Sequence, residues 1–253
     1  MTGKLTIVGL GPGDAELTTP AVTEALRTAT DLVGYETYLA RVALRDGQKR
    51  HASDNRVEID RAMHALALAA EGRTVAVVSG GDPGVFAMAA AVMEAIETGD
   101  ARWRDLDVRV EPGVTAMLAA AALAGAPLGA DFCAISLSDN LKSWETISRR
   151  LVAAASADFV IALYNPASKA RPHQLARAFE LLQRHKSGAT VVLFARAAGT
   201  SSAALEITTL ANATSKPADM RTLVIIGSST TRLIERTAAQ PLVYTPRAEV
   251  VRP

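Results

Sequence analysis

The sequence predicts an α/β fold made of two unlike α/β domains with mostly parallel sheets, residues 1–125 and 126–253. Three observations predict it. Short continuous apolar runs alternate with segments of helical periodicity, the pattern of strands buried on both faces beneath helices. Glycine turns close several of these runs. The alternation stops at Gly125-Ala-Pro-Leu-Gly129 and then restarts, which reads as a hinge between domains.

In chain order, Lys4–Leu10 is a β-rich apolar run ending in glycines, hence a buried strand. Thr19-Pro20 has the form of a helix start, with Thr19 as N-cap and proline at the first helical position, and the helix runs to about Ala29. Asp31–Gly34 is a short strand, and the charged stretch Arg41–Asn55 a loop. Asp60–Glu71 repeats apolar residues at Met63, Leu66, Ala67 and Ala70 and stops at Gly72, so it is a helix. Thr74–Ser79 is a strand, Gly80–Gly84 a turn, Val85–Thr98 a helix, Asp107–Val110 a strand and Thr115–Ala124 a helix. The second domain repeats the pattern: strand Phe132–Leu137, helix Ser143–Ala155, strand Phe159–Tyr164, helix Pro172–His185 and strand Thr190–Ala195. Ala204–Thr208, Thr222–Gly227, Arg232–Arg236 and Pro241–Thr245 are rich in β-formers with short connectors and are expected to pair antiparallel.

Composition excludes several functions. Of 253 residues 49% are hydrophobic and 21% charged, which supports a packed core and not disorder. Lysine and arginine number 27 against 26 acids, a formal net charge of +1, so no basic field exists to hold nucleic acid. The uncharged run Pro112–Ala130 is broken by Pro112, Gly113, Gly125, Pro127 and Gly129, so no membrane span is expected. The first residues lack a signal-peptide pattern, and the cytoplasm is the expected location. Cys133 alone cannot form an internal disulfide. His51, His64, His173 and His185 show no zinc-ligand spacing, so no metal is expected.

The chemistry is expected at strand-end turns. Gly9-Leu-Gly11-Pro12-Gly13-Asp14 invites a dinucleotide reading, with Glu36 near the place of a ribose-binding acid. Asp14 stands where the fingerprint wants a third glycine, and Pro12 removes an amide donor, so an NAD(P)-dependent oxidoreductase stays open as an alternative. Ser79-Gly80-Gly81-Asp82-Pro83-Gly84-Val85-Phe86 follows another strand. There Asp82 before Pro83 reads either as a helix cap or as a ligand contact, and the glycine pair allows close backbone approach. Glu111-Pro-Gly-Val-Thr115-Ala116 is a third turn, where Thr115 caps a helix or meets a ligand. Tyr164-Asn165-Pro166 offers a side-chain amide or a plain Asx turn, and Phe194-Ala195-Arg196-Ala197-Ala198-Gly199 ends a further strand.

Taken together and in order, these five segments resemble the tetrapyrrole (corrin/porphyrin) methylase family, over nearly the whole chain from Ile7 to about Gly227. The resemblance implies two domains around a cleft, a homodimer, and S-adenosyl-L-methionine folded between the domains and released as S-adenosyl-L-homocysteine. Carried over by position, the cofactor contacts are Pro12, Gly81, Asp82, Val85, Phe86, Thr115 and Ala116, with Asn165 and the Ala195-Arg196 backbone from the second domain. Gly34-Tyr-Glu-Thr-Tyr-Leu39, Ile135-Ser-Leu-Ser-Asp-Asn-Leu-Lys-Ser-Trp144 and Leu163-Tyr-Asn-Pro-Ala-Ser168 with Arg171 carry a finer likeness. It implies precorrin-3B as substrate, methylated at C-17 with ring contraction to precorrin-4. Other precorrin methylations, and a non-catalytic tetrapyrrole carrier, are the alternatives. Some relatives carry an iron–sulfur module. With one cysteine this chain is expected to lack it, and oxidative preparation of the substrate is expected from another protein, with transient contact to neighbouring pathway enzymes.

Methyl transfer from a sulfonium disperses positive charge, so a carboxylate on the sulfur would favour the ground state and slow the reaction. Main-chain carbonyls that hold the methyl through weak C–H···O contacts suit it better, and positioning can supply ~7–11 kcal/mol. No nucleophile triad is therefore needed. Ring contraction needs proton transfers, for which Asp14, Ser138, Asp139 and Lys142 are the candidates. The plain alternative for the last three is a solvated loop before a helix capped at Ser143. The substrate's carboxylates call for Arg41, Arg45, Lys49, Arg50, Lys169 or Arg171, or these are ordinary surface charges. His51 and His173 are weaker candidates for the proton transfers and otherwise read as solvated, Cys133 reads as core filler, and Trp103 and Trp144 as packing residues in preference to surfaces that stack on the macrocycle.

Overall fold

In the computed structural model, which describes residues 3–54 and 57–248, the chain divides into two units, Met1–Ala116 and Met117–Pro253. The first contains β1 (Lys4–Gly9), α1 (Pro20–Thr28), β2 (Asp31–Tyr35), α2 (Glu36–Leu39), β3 (Lys49–Ser53), α3 (Glu58–Ala70), β4 (Thr74–Ser79), α4 (Met88–Thr98) and β5 (Asp107–Glu111). Its sheet has the order β3-β2-β4-β1-β5 and is parallel throughout. Alternation along β1 explains the two-sided cover. Leu5 and Ile7 point into a cluster with Leu66, Ala69, Met88 and Val92 of α3 and α4. Val8 and Leu10 join Val22, Leu32 and Leu39 on the other face. Thr19 caps α1 as expected, its side chain accepting from Val22 N at 3.3 Å, with Pro20 in the first turn.

Strand β3 lies where the sequence predicts a loop. It reads Lys-Arg-His-Ala-Ser and forms the sheet edge beside β2, with Asp31 opposite Lys49 and Val33 opposite His51. One face of an edge strand meets water, so charge there is compatible with the ladder and hides the strand from a hydrophobicity reading. His51 is not a solvated loop histidine either. Its Nε2 lies 2.8 Å from Oδ1 of the fully buried Asp31, and its Nδ1 lies 3.1 Å from His64 Nε2. Thr30 Oγ1 and Arg73 Nη1 donate to Asp31 Oδ2 at 2.7 and 3.2 Å.

Burial alone would push the Asp31 carboxyl up, but the hydrogen bonds from His51, Thr30 and Arg73 outweigh it and hold its pKa below the ordinary value. A carboxyl lowered on folding adds stability above its unfolded pKa, about 3.9, and loses it as pH falls through the folded value. Asp31→Asn is therefore expected to lower stability at pH 7 by about 1–2 kcal/mol. In urea titrations the gap to the parent should shrink below about pH 4. A gap that is constant down to pH 2.5 would contradict the pairing.

Helix α5 (Ala116–Ala124) begins at the division. The second unit then holds β6 (Gly125–Ala126), β7 (Phe132–Ser136), α6 (Trp144–Ser156), β8 (Val160–Tyr164), α7 (Gln174–Leu182), β9 (Val191–Arg196), β10 (Ala204–Thr209), β11 (Thr222–Ile226), β12 (Arg232–Ile234) and β13 (Leu242–Tyr244). The main sheet has the order β10-β9-β11-β8-β7. β7 and β8 are parallel, β11 runs against both β8 and β9, and β10 runs against β9. The late β-rich segments thus pair antiparallel with their main-sheet neighbours and β12 with β13, as their short connectors imply, while β13 also lies parallel to β6. Leu137, Ile147, Leu151, Phe179 and Leu182 of this unit pack with the sheet residues Ile161, Leu163, Phe194 and Val224. Gly125–Gly129 lies inside this unit: β6 pairs with β13, and Thr245 Oγ1 donates to the Pro127 carbonyl at 2.6 Å. Trp144 packs at the start of α6 with the Arg177 guanidinium 4.2 Å over its ring. Among the described residues no helix is long and apolar enough to cross a membrane.

Candidate functional site

Sheet order brings three of the predicted turns together. β4, β1 and β5 are neighbours, and Gly9 is in register with Ser79. The connections leaving β1 and β4 run in opposite directions across the sheet, which opens a crevice at their carboxyl ends. The first two turns are bonded main chain to main chain: Gly11 N donates to Gly81 O at 3.1 Å, and Gly81 N to Gly11 O at 2.9 Å. The third packs so closely that side chains are excluded. A Cβ on Gly9 would lie 2.5 Å from Gly81 O and 2.9 Å from Gly113 N.

Two charged side chains hold this assembly. Asp82 Oδ1 accepts from Gly84 N at 2.8 Å and Oδ2 from Gly113 N at 3.1 Å, so one carboxylate joins the second turn to the third. It is not a helix cap. α4 starts at Met88, with Ala87 as its N-cap. Asp82-Pro83 imitates a cap signal while its oxygens serve amides of the turns, and the predicted helix over Val85–Ala87 does not form there because Phe86 takes a φ of +53°. Arg41, read from the sequence as either a substrate-carboxylate contact or an ordinary surface charge, donates to the carbonyls of Leu10, Gly11 and Gly13, the last at 2.7 Å. Burial pushes its pKa down, with Tyr38 and Asp14 opposing that shift, and the guanidinium stays charged. Arg50 likewise donates to the Val42 carbonyl at 2.7 Å.

The dinucleotide alternative fails on this geometry. The Gly11 amide is committed to Gly81, and the turn leads into a three-residue 3-10 turn, Ala15–Leu17, with the first α-helix starting only at Pro20, so no α-helix begins at the glycines as the dinucleotide motif requires. A different ligand surface is present. Gly81 has φ +63°, and a Cβ placed on it would find its nearest neighbours, Thr115 Cα and Val114 O, 3.9 Å away. A group at that position would make ordinary van der Waals contact with third-turn main chain, so the second and third turns form a cradle walled by backbone. Phe86, on the same turn, is 51% exposed, which is unusual for so large an apolar ring.

In the second unit the ends of β7 and β8 carry a polar group of their own. Asn165 has φ +52°, and its Nδ2 donates to Ser136 Oγ at 2.9 Å. Ser138 N donates to the same oxygen at 3.3 Å, and Tyr164 OH accepts from Met117 N at 3.1 Å. Asp139 follows, with Gln174 Nε2 donating to its Oδ2 at 2.7 Å and Arg171 Nε 3.9 Å from its Oδ1. Arg171 is thus partnered with an acid of this chain. Lys142 is half-buried, and burial together with Arg150 pushes its pKa down. At the end of β9, Ala195 is buried between ladder partners on both sides, and the Arg196 side chain pairs with Asp219 at 2.9 Å. Ala197 then turns with φ +51°.

A family model described as tetrapyrrole (corrin/porphyrin) methylases matches residues 4–214. The chain belongs to the tetrapyrrole methylase family. A relative from Sinorhizobium sp, named precorrin-3B C(17)-methyltransferase, is 58% identical over 247 residues, 98% of this chain and 97% of its own. The cobalamin biosynthesis protein CobIJ of Mycobacterium bovis is 49% identical over 251 residues, and the match covers 98% of this chain but 48% of that protein. The crystal structure of the methyltransferase CobJ superposes with a TM-score of 0.91 at 54% identity, covering 96% of this chain and all of the other.

On this tetrapyrrole methylase, Pro12 lies between the carbonyls that Arg41 holds, and Gly81, Asp82, Thr115 and Ala116 sit together around the cradle. Val85 and Phe86 lie on the same turn as Gly81. Asp14 is exposed beside the first turn, while Ser138 and Asp139 belong to the second unit's group. Sequence reasoning missed Ser136, Gln174 and the structural use of Arg41. Ser136 and Gln174 stand on predicted elements without charge or glycine to flag them, and only the fold places them at these strand ends.

Proposed function

We propose that the chain is an S-adenosyl-L-methionine-dependent C-methyltransferase of corrin biosynthesis that methylates precorrin-3B at C-17 and contracts the ring to precorrin-4. The observation that carries this reading is the 58% identity with the Sinorhizobium enzyme along essentially the full length of both chains. The Gly81 cradle fits the donor, because its walls are backbone of Gly81, Val114, Thr115 and Ala116 with no side chain filling it. When bound there, the donor supplies an electrophilic methyl group. Val114 O lies at this surface as an acceptor for weakly acidic C–H groups, and a carbonyl binds them without a full negative charge that would favour the ground state. Pro12, Val85 and Phe86 add apolar cover that excludes water. Asn165, Ala195 and Arg196 remain our further candidates for donor contacts. Arg196 acts through its main chain, since its guanidinium is held by Asp219.

The macrocycle supplies the carbon nucleophile, so the protein's work on it is to orient and to move protons. Asp14, Ser138, Asp139 and Lys142 remain our candidates for the proton transfers of contraction. The reading includes a homodimer, a cytoplasmic location and transient contact with neighbouring pathway enzymes.

The deciding experiment is incubation with precorrin-3B and methyl-labelled donor, with product mass and label position as readouts. One added methyl, at C-17 of a contracted ring, is the expected result. A product labelled elsewhere, or unlabelled macrocycle alongside tight binding of S-adenosyl-L-homocysteine, would overturn it.

A further inference from the structure

A cavity of about 70 Å³ lies at the carboxyl ends of β2 and β4, lined by Tyr35, Tyr38, Glu58, Arg61, Ser79 and Met88 with the Gly80 backbone. One water needs about 10–15 Å³ of such space, so there is room for several waters or for the three heavy atoms of a carboxylate. The Tyr38 ring lies over Gly80. A Cβ on that glycine would fall 2.6 Å from Tyr38 Cε1 and 2.8 Å from Cζ, so the hydroxyl end of the ring stands beside the second turn. Tyr35 meets Tyr38 edge to face, with centroids 5.5 Å apart.

Arg61, on α3, is the cation of this cavity and is 5% exposed. Its Nε donates to Ser53 Oγ at 2.8 Å, its Nη1 to Met88 Sδ at 3.3 Å and its Nη2 to the Asp54 carbonyl. All three acceptors are neutral, and the sulfur is a weak one. A guanidinium has five N–H groups, so each Nη keeps one beyond these bonds. Among the described residues no carboxylate pairs with it. Glu58 is exposed and acts on it only at longer range. Burial pulls the Arg61 pKa down, with Glu58, Tyr38 and Asp54 opposing that shift, and the guanidinium stays charged. A buried charge is costly until an opposite charge meets it. The other polar groups here are donors as well. The Tyr38 hydroxyl has no hydrogen-bond partner among the described residues, and the buried Ser79 Oγ accepts from Met88 N at 3.4 Å and keeps its own proton to give. An occupant must therefore accept hydrogen bonds and carry negative charge. An ammonium can only donate and a hydroxyl is neutral, whereas a carboxylate meets both conditions.

We propose that this cavity is a subsite for one carboxylate arm of the macrocycle, received by Arg61 and the Tyr38 hydroxyl. This rests on the tetrapyrrole reading of the function. The two residues bind and orient the substrate and take no part in the bonds that change. The subsite also gives a use to the stretch Gly34–Leu39, which supplies both tyrosines. The methyl donor carries a carboxylate too, at its amino-acid end, and its affinity separates the two sources.

The test is steady-state kinetics with precorrin-3B on Arg61→Met, Arg61→Lys and Tyr38→Phe, with melting temperature and S-adenosyl-L-homocysteine affinity measured beside them. Arg61→Met is expected to raise KM for the macrocycle about tenfold or more and Tyr38→Phe about threefold or more. kcat and the homocysteine affinity should stay within about threefold of the parent, the signature of lost uniform binding. Arg61→Lys keeps the charge but not the fork, so its KM should lie between parent and methionine. A lysine variant no better than methionine would show that charge is not what the site reads, and the carboxylate would be wrong. KM within about twofold of the parent in both Arg61→Met and Tyr38→Phe would mean that water alone fills the cavity. A lower melting temperature with unchanged KM would mark Arg61 as a structural brace, and a loss of homocysteine affinity with unchanged KM would move the carboxylate to the donor. Each of these results overturns the proposal. If Arg61→Met does not fold, Tyr38→Phe, which removes only a hydroxyl, decides by itself. A parent enzyme that turns over no macrocycle would refute the functional reading, and this subsite with it, before any variant is made.

Discussion

Gly113→Ala is expected to destroy cofactor binding and to cost at least about 3 kcal/mol of stability. The added Cβ would fall deep inside contact distance of the Gly81 carbonyl oxygen and 2.6 Å from the Gly9 carbonyl oxygen. Both neighbours are backbone at the ends of paired parallel strands, so neither can swing aside as a long side chain would. Relief requires the third turn to part from the other two. That movement would break the Gly113 N–H bond to Asp82 and widen the cradle at Thr115 and Ala116. At about 2–4 °C per kcal/mol for a chain of this size, the melting temperature should fall by about 6–12 °C. S-adenosyl-L-homocysteine affinity, measured calorimetrically, should drop at least about a hundredfold, the equivalent of two tenfold steps of 1.4 kcal/mol. Gly188→Ala is the control: its Cβ would meet only the Ala211 methyl at 3.3 Å, and melting and binding should stay near the parent. A Gly113→Ala protein that melts and binds like the parent would remove the interlocked turns from the reading of the site.

That interlocking is also where sequence reasoning stops. The alternation of apolar runs with helical periods is enough to place β1, β4, β7, β8 and β9 and the helices α1, α3, α6 and α7, because strands buried on both faces need unbroken hydrophobic stretches. The same rule hid β3, whose Lys49 and Arg50 are the charges an edge strand tolerates. The glycines were visible, but their purpose was not. Each looked like room for a ligand, and Gly9 and Gly113 instead make room for each other and for Gly81, residues far apart in the chain that only the strand order brings together. Arg41 misled for a related reason. A cation in a polar loop looks like a substrate contact until the loop folds back and its fork finds three carbonyls. Asp31 and His51 show the converse. Nothing local marks a carboxylate at a strand start as fully buried, or predicts that the next strand will bring a histidine to it.

Asp82→Ala probes the same assembly through its one carboxylate, and its effect separates two roles that the residue can combine. The side chain already accepts from Gly84 N and Gly113 N. A carboxylate offers about four lone-pair sites, so two remain for a ligand donor. Alanine leaves both amides without their acceptor, and the expected loss is about 1–3 kcal/mol in the absence of any ligand, seen as a lower urea midpoint. Cofactor affinity should fall about ten- to hundredfold, since the second and third turns would no longer be fixed to one another. Asp82→Asn keeps one acceptor oxygen and turns an NH2 toward the other amide. It should therefore lie between parent and alanine in stability if bridging is the main role. If ligand contact through the negative charge dominates, asparagine should match alanine in affinity while remaining close to the parent in stability. An alanine variant with parental stability would rule out the bridge itself, because no second acceptor for the Gly113 amide stands among the described hydrogen bonds.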